Sequence, residues 1–156
     1  MKILGIDPGV AIVGYGILDV SKKDLKLIDA GCIITSSKTA HPKRLAEIAA
    51  ELKHIIKKYN PDILGIEELF FCKNVKTAMK VGEARGVILA TAMQANLPIY
   101  EYTPLQIKQA LTGYGRADKN QIQQMVKVIL KLDEIIKPDD AADAVAVAIT
   151  CANSKV

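Results

Sequence analysis

Three short acidic patterns hold the side chains of this sequence that could do chemistry. Gly5-Ile6-Asp7 and Gly65-Ile66-Glu67 repeat one order of glycine, isoleucine and acid. Each closes a short apolar run, Lys2 to Asp7 and Asp62 to Glu67, that reads as a β-strand. Side chains alternate across a strand, so each acid projects to the face of the glycine two residues before it. The missing side chain leaves room beside the acid. As parallel neighbours, the two strands would present both acids at their carboxyl ends, where open α/β sheets place their sites.

The third pattern is Asp139-Asp140-Ala141-Ala142-Asp143. On a helix, Asp140 and Asp143 share a face, and so do Asp139 and Asp143, so spacing alone leaves both pairs open. Residues 144–151 are small and apolar and must pack on the core, which would hold the acidic first turn against the domain. A plainer reading has Asp139 and Asp140 capping the helix and favouring its positive end. That reading is adopted for Asp139, and Glu68, pointing opposite to Glu67, is given no chemical role. Clustered carboxylates repel one another unless a cation lies among them. Magnesium suits such a set because it takes hard oxygen ligands. Two such ions about 4 Å apart can clamp a phosphodiester for in-line displacement.

The charge distribution fits an anionic partner. Residues 70–131 carry nine Lys or Arg against three acids, a local excess of +6, while the chain's formal net charge is +4. A basic middle with acids toward both ends could bind a polyanion on one surface and cations at another. Lysine-rich solvated helix faces would give the same count. Cys32, Cys72 and Cys151 are scattered and odd in number, which supports neither a disulfide framework nor a zinc site and suggests buried thiols. His41 and His54 are too isolated for a histidine metal site. No apolar run approaches the ~20 residues of a membrane span, and the N-terminus lacks the apolar stretch of a signal peptide. A cytoplasmic protein without a membrane partner is expected.

The acids need a frame. The 156 residues suit one domain spanning 1–156. Strands are expected at Lys2 to Asp7, Val13 to Val20, Leu25 to Thr35, Asp62 to Glu67 and Pro98 to Tyr102. Helices are expected at Pro42 to Tyr59, Asn74 to Asn96, Pro104 to Leu111, from the Asp118–Gln121 capping box to about Lys131, and from Pro138 through Cys151. Helices separate the first, fourth and fifth strands, so these should run parallel, while the second and third add antiparallel. The result is a three-layer α/β domain with a five-stranded mixed sheet.

Gly-Ile-Asp-Pro-Gly at 5–9, Ile-Glu-Glu-Leu-Phe at 66–70, Gly-Glu-Ala-Arg-Gly at 82–86, the stretch 102–121 and Asp-Ala-Ala-Asp-Ala at 140–144 resemble RuvC-type Holliday-junction resolvases. The likeness covers nearly the whole chain with its motifs in the family's order. It implies a ribonuclease-H-like fold and a homodimer that nicks a four-way DNA junction symmetrically, in recombination and repair. It assigns Asp7, Glu67, Asp140 and Asp143 as catalytic metal ligands for two Mg2+ ions, with Mn2+ able to substitute, and so selects Asp140 over Asp139. It assigns Lys108 and Lys119 to DNA backbone contacts and Phe70 to a base near the cut. It also implies a branch-migration helicase of RuvA and RuvB type as a partner.

From the residues alone, Phe70 follows a catalytic strand and could stack on a base, or could be core. Lys108 and Lys119 flank Gly113-Tyr114-Gly115 and could meet phosphates or stand as ordinary surface lysines. Small residues along the helix from Asn74, among them Ala78, Gly82, Gly86 and Ala90, would allow close helix approach, on the protein's own sheet or, as the resemblance implies, at a dimer interface. Three other functions compete. Another ribonuclease-H-like nuclease acting on RNA or an RNA–DNA hybrid could use similar acids. An actin-like kinase would need a duplicated domain for which the chain is too short. A non-catalytic junction binder would not need four acids.

Overall fold

The computed structural model describes residues 1–21, 24–69 and 75–155. Five strands, β1 (Lys2–Asp7), β2 (Ile12–Ser21), β3 (Asp24–Ile34), β4 (Ile63–Glu67) and β5 (Ile99–Tyr102), form one sheet in the order β3-β2-β1-β4-β5. β1, β4 and β5 are parallel, and β2 and β3 join antiparallel, as the spacing of helices predicts. The helices are α1 (His41–Tyr59), α2 (Val75–Gln94), α3 (Pro104–Thr112), α4 (Lys119–Ile129) and α5 (Asp139–Lys155).

Alternation along β1 divides the core. Leu4 and Ile6 face α1 and α2, packing with Ile48, Leu52, Ile55, Ala84 and Ile88. Ile3 faces the opposite layer, with Ile107, Ile122, Val126, Val145 and Ile149 from α3, α4 and α5. Burying each fully enclosed aliphatic side chain contributes about 1.5–3 kcal/mol against conformational entropy of similar total size. The three-layer arrangement is the expected one.

α5 is the central helix of its layer, buried from Ala141 to Ala152 apart from Asp143. Its backbone lies on a floor of glycines. A Cβ at Gly5 would collide with the Ala144 carbonyl oxygen, one at Gly14 with that of Asp140, and one at Gly16 with Val145. Gly65 is less tightly covered, its Cβ position lying 3.1 Å from that of Cys151. The room expected beside the two strand acids is therefore filled by α5, whose alanines let it approach.

The Asp118–Gln121 capping box forms as expected, and a second one, Thr103 with Gln106, starts α3. Several ends differ from expectation. α2 stops at Gln94 and α4 at Ile129, because Asn96 and Lys131 take left-handed backbone conformations that break the helix. α5 continues to Lys155, beyond Cys151, since Thr150, Cys151 and Ala152 remain packed on the sheet. Of the thiols expected to be buried, Cys151 is and Cys32 is only half-buried, while Cys72 lies outside the described residues.

Candidate active site

Asp7 and Glu67 end adjacent parallel strands whose register pairs Gly5 with Gly65 and Ile6 with Ile66. Both acids therefore leave the sheet at the same level and on the α5 side. α5 begins against this corner, because Gly14, the β2 partner of Asp7, admits the Asp140 carbonyl. Three elements distant in sequence thus bring Asp7, Glu67, Asp140 and Asp143 to one mouth, each partly buried.

Asp7 feels the charges of the other three acids. Burial, reinforced by the charges of Glu67, Asp143 and Asp140, pushes the Asp7 carboxyl up to about 8. At neutral pH Asp7 is then largely protonated, and its carboxyl hydrogen-bonds the Glu67 carboxylate, favouring the charged form of Glu67. Burial and the Asp143 charge raise Glu67, while that hydrogen bond, Lys108 and Lys119 pull it down. Burial raises Asp143, opposed by Lys119.

Lys119 supplies a fixed positive charge here. Its Nζ lies 3.0 Å from Asp143 and 3.6 Å from Asp139. The aspartates hold its ammonium above the ordinary lysine range, led by the hydrogen bond to Asp143. Lys119 and Lys108 line a cleft of ≈ 190 Å³ together with Glu67, Asp143, Pro104 and Ile107. Both lysines expected to meet DNA thus sit at the acid mouth, one from α4 and one from α3. Phe70 lies outside the described residues. Asp139 is occupied otherwise, paired with Lys137 at 3.0 Å and held below the ordinary carboxylate range chiefly by that bond.

Among the described residues, no group of three or more His, Cys, Asp and Glu side chains is drawn close enough to enclose an ion as they stand. The donor chemistry nonetheless suits a hard divalent cation, being all carboxylate oxygen. The proton on Asp7 and the ammonium of Lys119 compensate charge that such a cation would otherwise neutralise.

Two contributors were not singled out in the sequence. Arg85, in α2, donates from Nε to the Glu67 carbonyl at 3.2 Å and forms an ion pair with Glu101 of β5. It ties the end of β4 to its neighbours. Gly14 and Gly16 are the other, and their spacing of two, which puts both on one face of β2, is the available signal.

The family described as "Crossover junction endodeoxyribonuclease RuvC" matches residues 3–151. A protein of that name from Finegoldia magna is 60% identical over 149 residues, covering 96% of this chain and 91% of the relative. The Thermus thermophilus RuvC structure superposes with a TM-score of 0.91 at 36% identity, covering 98% of this chain and 94% of the other. T. thermophilus RuvC in complex with Holliday junction substrate matches with a TM-score of 0.90 at 34% identity, with the same coverage. Fold, motif order and full-length similarity agree, and the chain belongs to the RuvC family of crossover junction endodeoxyribonucleases.

Proposed function

We propose that this chain resolves four-way DNA junctions in homologous recombination and repair by paired, symmetric phosphodiester hydrolysis. Its family consists of metal-dependent nucleases. The observation carrying the reading is the convergence of Asp7, Glu67, Asp140 and Asp143 beside Lys108 and Lys119. Those four acids would hold two Mg2+ ions, or Mn2+ in their place. When bound, such ions supply a nucleophilic water near neutral pH and offset charge on the leaving oxygen, giving 5′-phosphate and 3′-hydroxyl ends.

The chain's own residues bind and orient. Lys108 and Lys119 would seat backbone phosphates as point charges, and Phe70 would stack on a base beside the cut. Asp7 would give up its proton as the cation arrives, since its carboxyl is raised mainly by burial and by neighbouring acids. Junction shape and backbone contacts would select the substrate, and local ease of distortion would favour particular cut steps.

Symmetry and the outer face of α2 support a homodimer. Two like strands of a junction call for two equivalent sites. The outer face of α2 presents Val75, Met79 and Met93, which are 69%, 63% and 60% exposed, beside exposed Gly86. Such a stripe of apolar and small residues suits a second copy. Residues 1–156 would act as one nuclease domain in the cytoplasm, with a branch-migration helicase of RuvA and RuvB type as partner. No helix among the described residues is long and apolar enough to cross a membrane.

The test is cleavage of a synthetic four-way junction beside an RNA–DNA hybrid, with Mg2+. Junction nicking by the native chain, with loss of nicking but retained junction binding in Asp7→Asn, is expected. Preference for the hybrid, or unchanged nicking in Asp7→Asn, would overturn the reading.

A further inference from the structure

A second cleft, of ≈ 390 Å³, opens on the other side of Asp140. Its walls are the turn Gly9 to Ile12 after catalytic strand β1, Arg44 of α1, and Thr77, Lys80 and Val81 of α2, with Asp140 as the residue it shares with the acid mouth. Lys108 and Lys119 are not part of it. They line the separate cleft that contains Glu67 and Asp143.

Two features suit this cleft to an anion. First, Arg44 is held in place from behind. Its Nε donates to the Thr35 hydroxyl at 2.8 Å, and that hydroxyl, buried, donates to the Val10 carbonyl at 2.6 Å. The relay fixes the guanidinium to the turn leaving β1 and leaves its two terminal nitrogens for another acceptor. A planar, pre-positioned fork of this kind matches two oxygens of one phosphate. Second, neither Arg44 nor Lys80 has an acidic partner within ion-pair distance among the described residues. Asp140 is the one carboxylate lining the cleft, and it belongs to the proposed cation site.

We propose that the Arg44–Lys80 cleft seats a DNA backbone phosphate that neighbours the scissile one, on the side of the acids away from Lys108 and Lys119. The inference rests on the nuclease reading above and adds a second anchor to it. With lysines on one flank and Arg44 with Lys80 on the other, the strand is gripped on both sides of the bond to be cut. Arg44 is the orienting partner, because its position is set by the turn that follows Asp7. Lys80 adds charge from an exposed stem.

The test uses the full chain and junctions in which single phosphates flanking the cut are replaced, one at a time, by neutral methylphosphonates. Binding is measured in EDTA as a function of salt. Lys80→Gln and Arg44→Gln should each lower the slope of log affinity against log salt by about 1, the signature of one lost phosphate contact. Lys131→Gln, which removes an exposed lysine remote from the site, controls for net charge and should leave the slope unchanged. One or two methylphosphonates should weaken native binding several-fold yet weaken Lys80→Gln binding no further. If Arg44→Gln unfolds, Lys80→Gln decides alone, since that side chain is exposed and supports nothing. Additive losses at every flanking phosphate, or an equal slope change in Lys131→Gln, would overturn the inference while native junction cleavage still upheld the nuclease reading. If the native chain cuts a hybrid duplex instead, the same walk on that duplex tests the cleft. If it binds neither, both readings fall.

Discussion

Lys119 Nζ lies 3.0 Å from Asp143, joining the first turn of α4 to the second turn of α5 across the acid mouth. The ammonium both partners the carboxylates and faces the cleft where a phosphate would arrive, so its removal should act in two directions. Without DNA, Lys119→Gln leaves one positive charge fewer among the acids, and Mn2+ should bind more tightly by calorimetry. With DNA, the same change removes a phosphate contact, and junction cleavage should fall roughly tenfold, equivalent to about 1.4 kcal/mol. Weaker Mn2+ binding together with unchanged cleavage would return Lys119 to an ordinary surface role.

Asp7 makes the metal-free protein sensitive to alkali. Its carboxyl is raised from 3.8 to about 8, first by burial and then by Glu67, Asp143 and Asp140. Between these values the folded chain binds a proton that the unfolded chain has released. Stability contributed by that proton is present in full below pH ~4 and is lost as pH rises through the folded value near 8. Melts in EDTA should therefore show a declining transition temperature from pH 5 to pH 9. A few kcal/mol, at roughly 2–4 °C each for a chain of this size, is the expected span of this contribution. Asp7→Asn, neutral throughout, should flatten the decline and stabilise the apoprotein at pH 8 while abolishing cleavage. Mg2+ added at pH 8 should recover stability in the native chain but little in Asp7→Asn.

The acid site was legible because its geometry is built into strand alternation and helix periodicity. Gly5-Ile6-Asp7 and Gly65-Ile66-Glu67 point their acids to one face wherever β1 and β4 pair in register, and they do. Asp140 against Asp139 was different. Both lie in the first turn of α5, and periodicity allows either to accompany Asp143. The structure separates them by their surroundings, Asp139 against Lys137 and Lys119 and Asp140 beside Asp7, because Gly14 draws the Asp140 backbone onto β2. Arg85 and Arg44 were illegible for a related reason. Each acts through a backbone carbonyl or hydroxyl brought near by tertiary packing, and no local spacing announces such a partner.

Arg85 offers a way to disturb Glu67 without touching its carboxylate. The guanidinium spans from the Glu67 carbonyl to Glu101, fixing the end of β4 against α2 and β5. Glu101→Gln removes the ion pair but spares the bond to Glu67, so it should cost little stability, about 0–1 kcal/mol for so exposed a partner, and little activity. Arg85→Met also frees the carbonyl and should cost about 1–3 kcal/mol. Cleavage at saturating junction should fall more in Arg85→Met than in Glu101→Gln, while junction affinity in EDTA changes similarly in both. Equal cleavage in the two variants would leave Arg85 as a contributor to stability alone.

Two glycines separate packing of α5 from assembly through α2. A methyl at Gly14 would strike the Asp140 carbonyl, and relief requires α5 to lift from the sheet at the turn that carries Asp140 and Asp143. Gly14→Ala should therefore destabilise by about 1–3 kcal/mol, the usual cost of forcing volume into a close-packed contact. It should also depress cleavage under conditions where the protein remains folded. Gly86 meets nothing within 4 Å and sits on the exposed face of α2. In a protomer by itself, Gly86→Ala should gain about 0.5–1 kcal/mol through helix propensity. If this face meets a second copy, Gly86→Leu and Met79→Glu should dissociate the dimer in sedimentation experiments, reducing paired nicking on both strands while each protomer keeps its fold. Unchanged sedimentation in both variants would move the dimer contact away from α2.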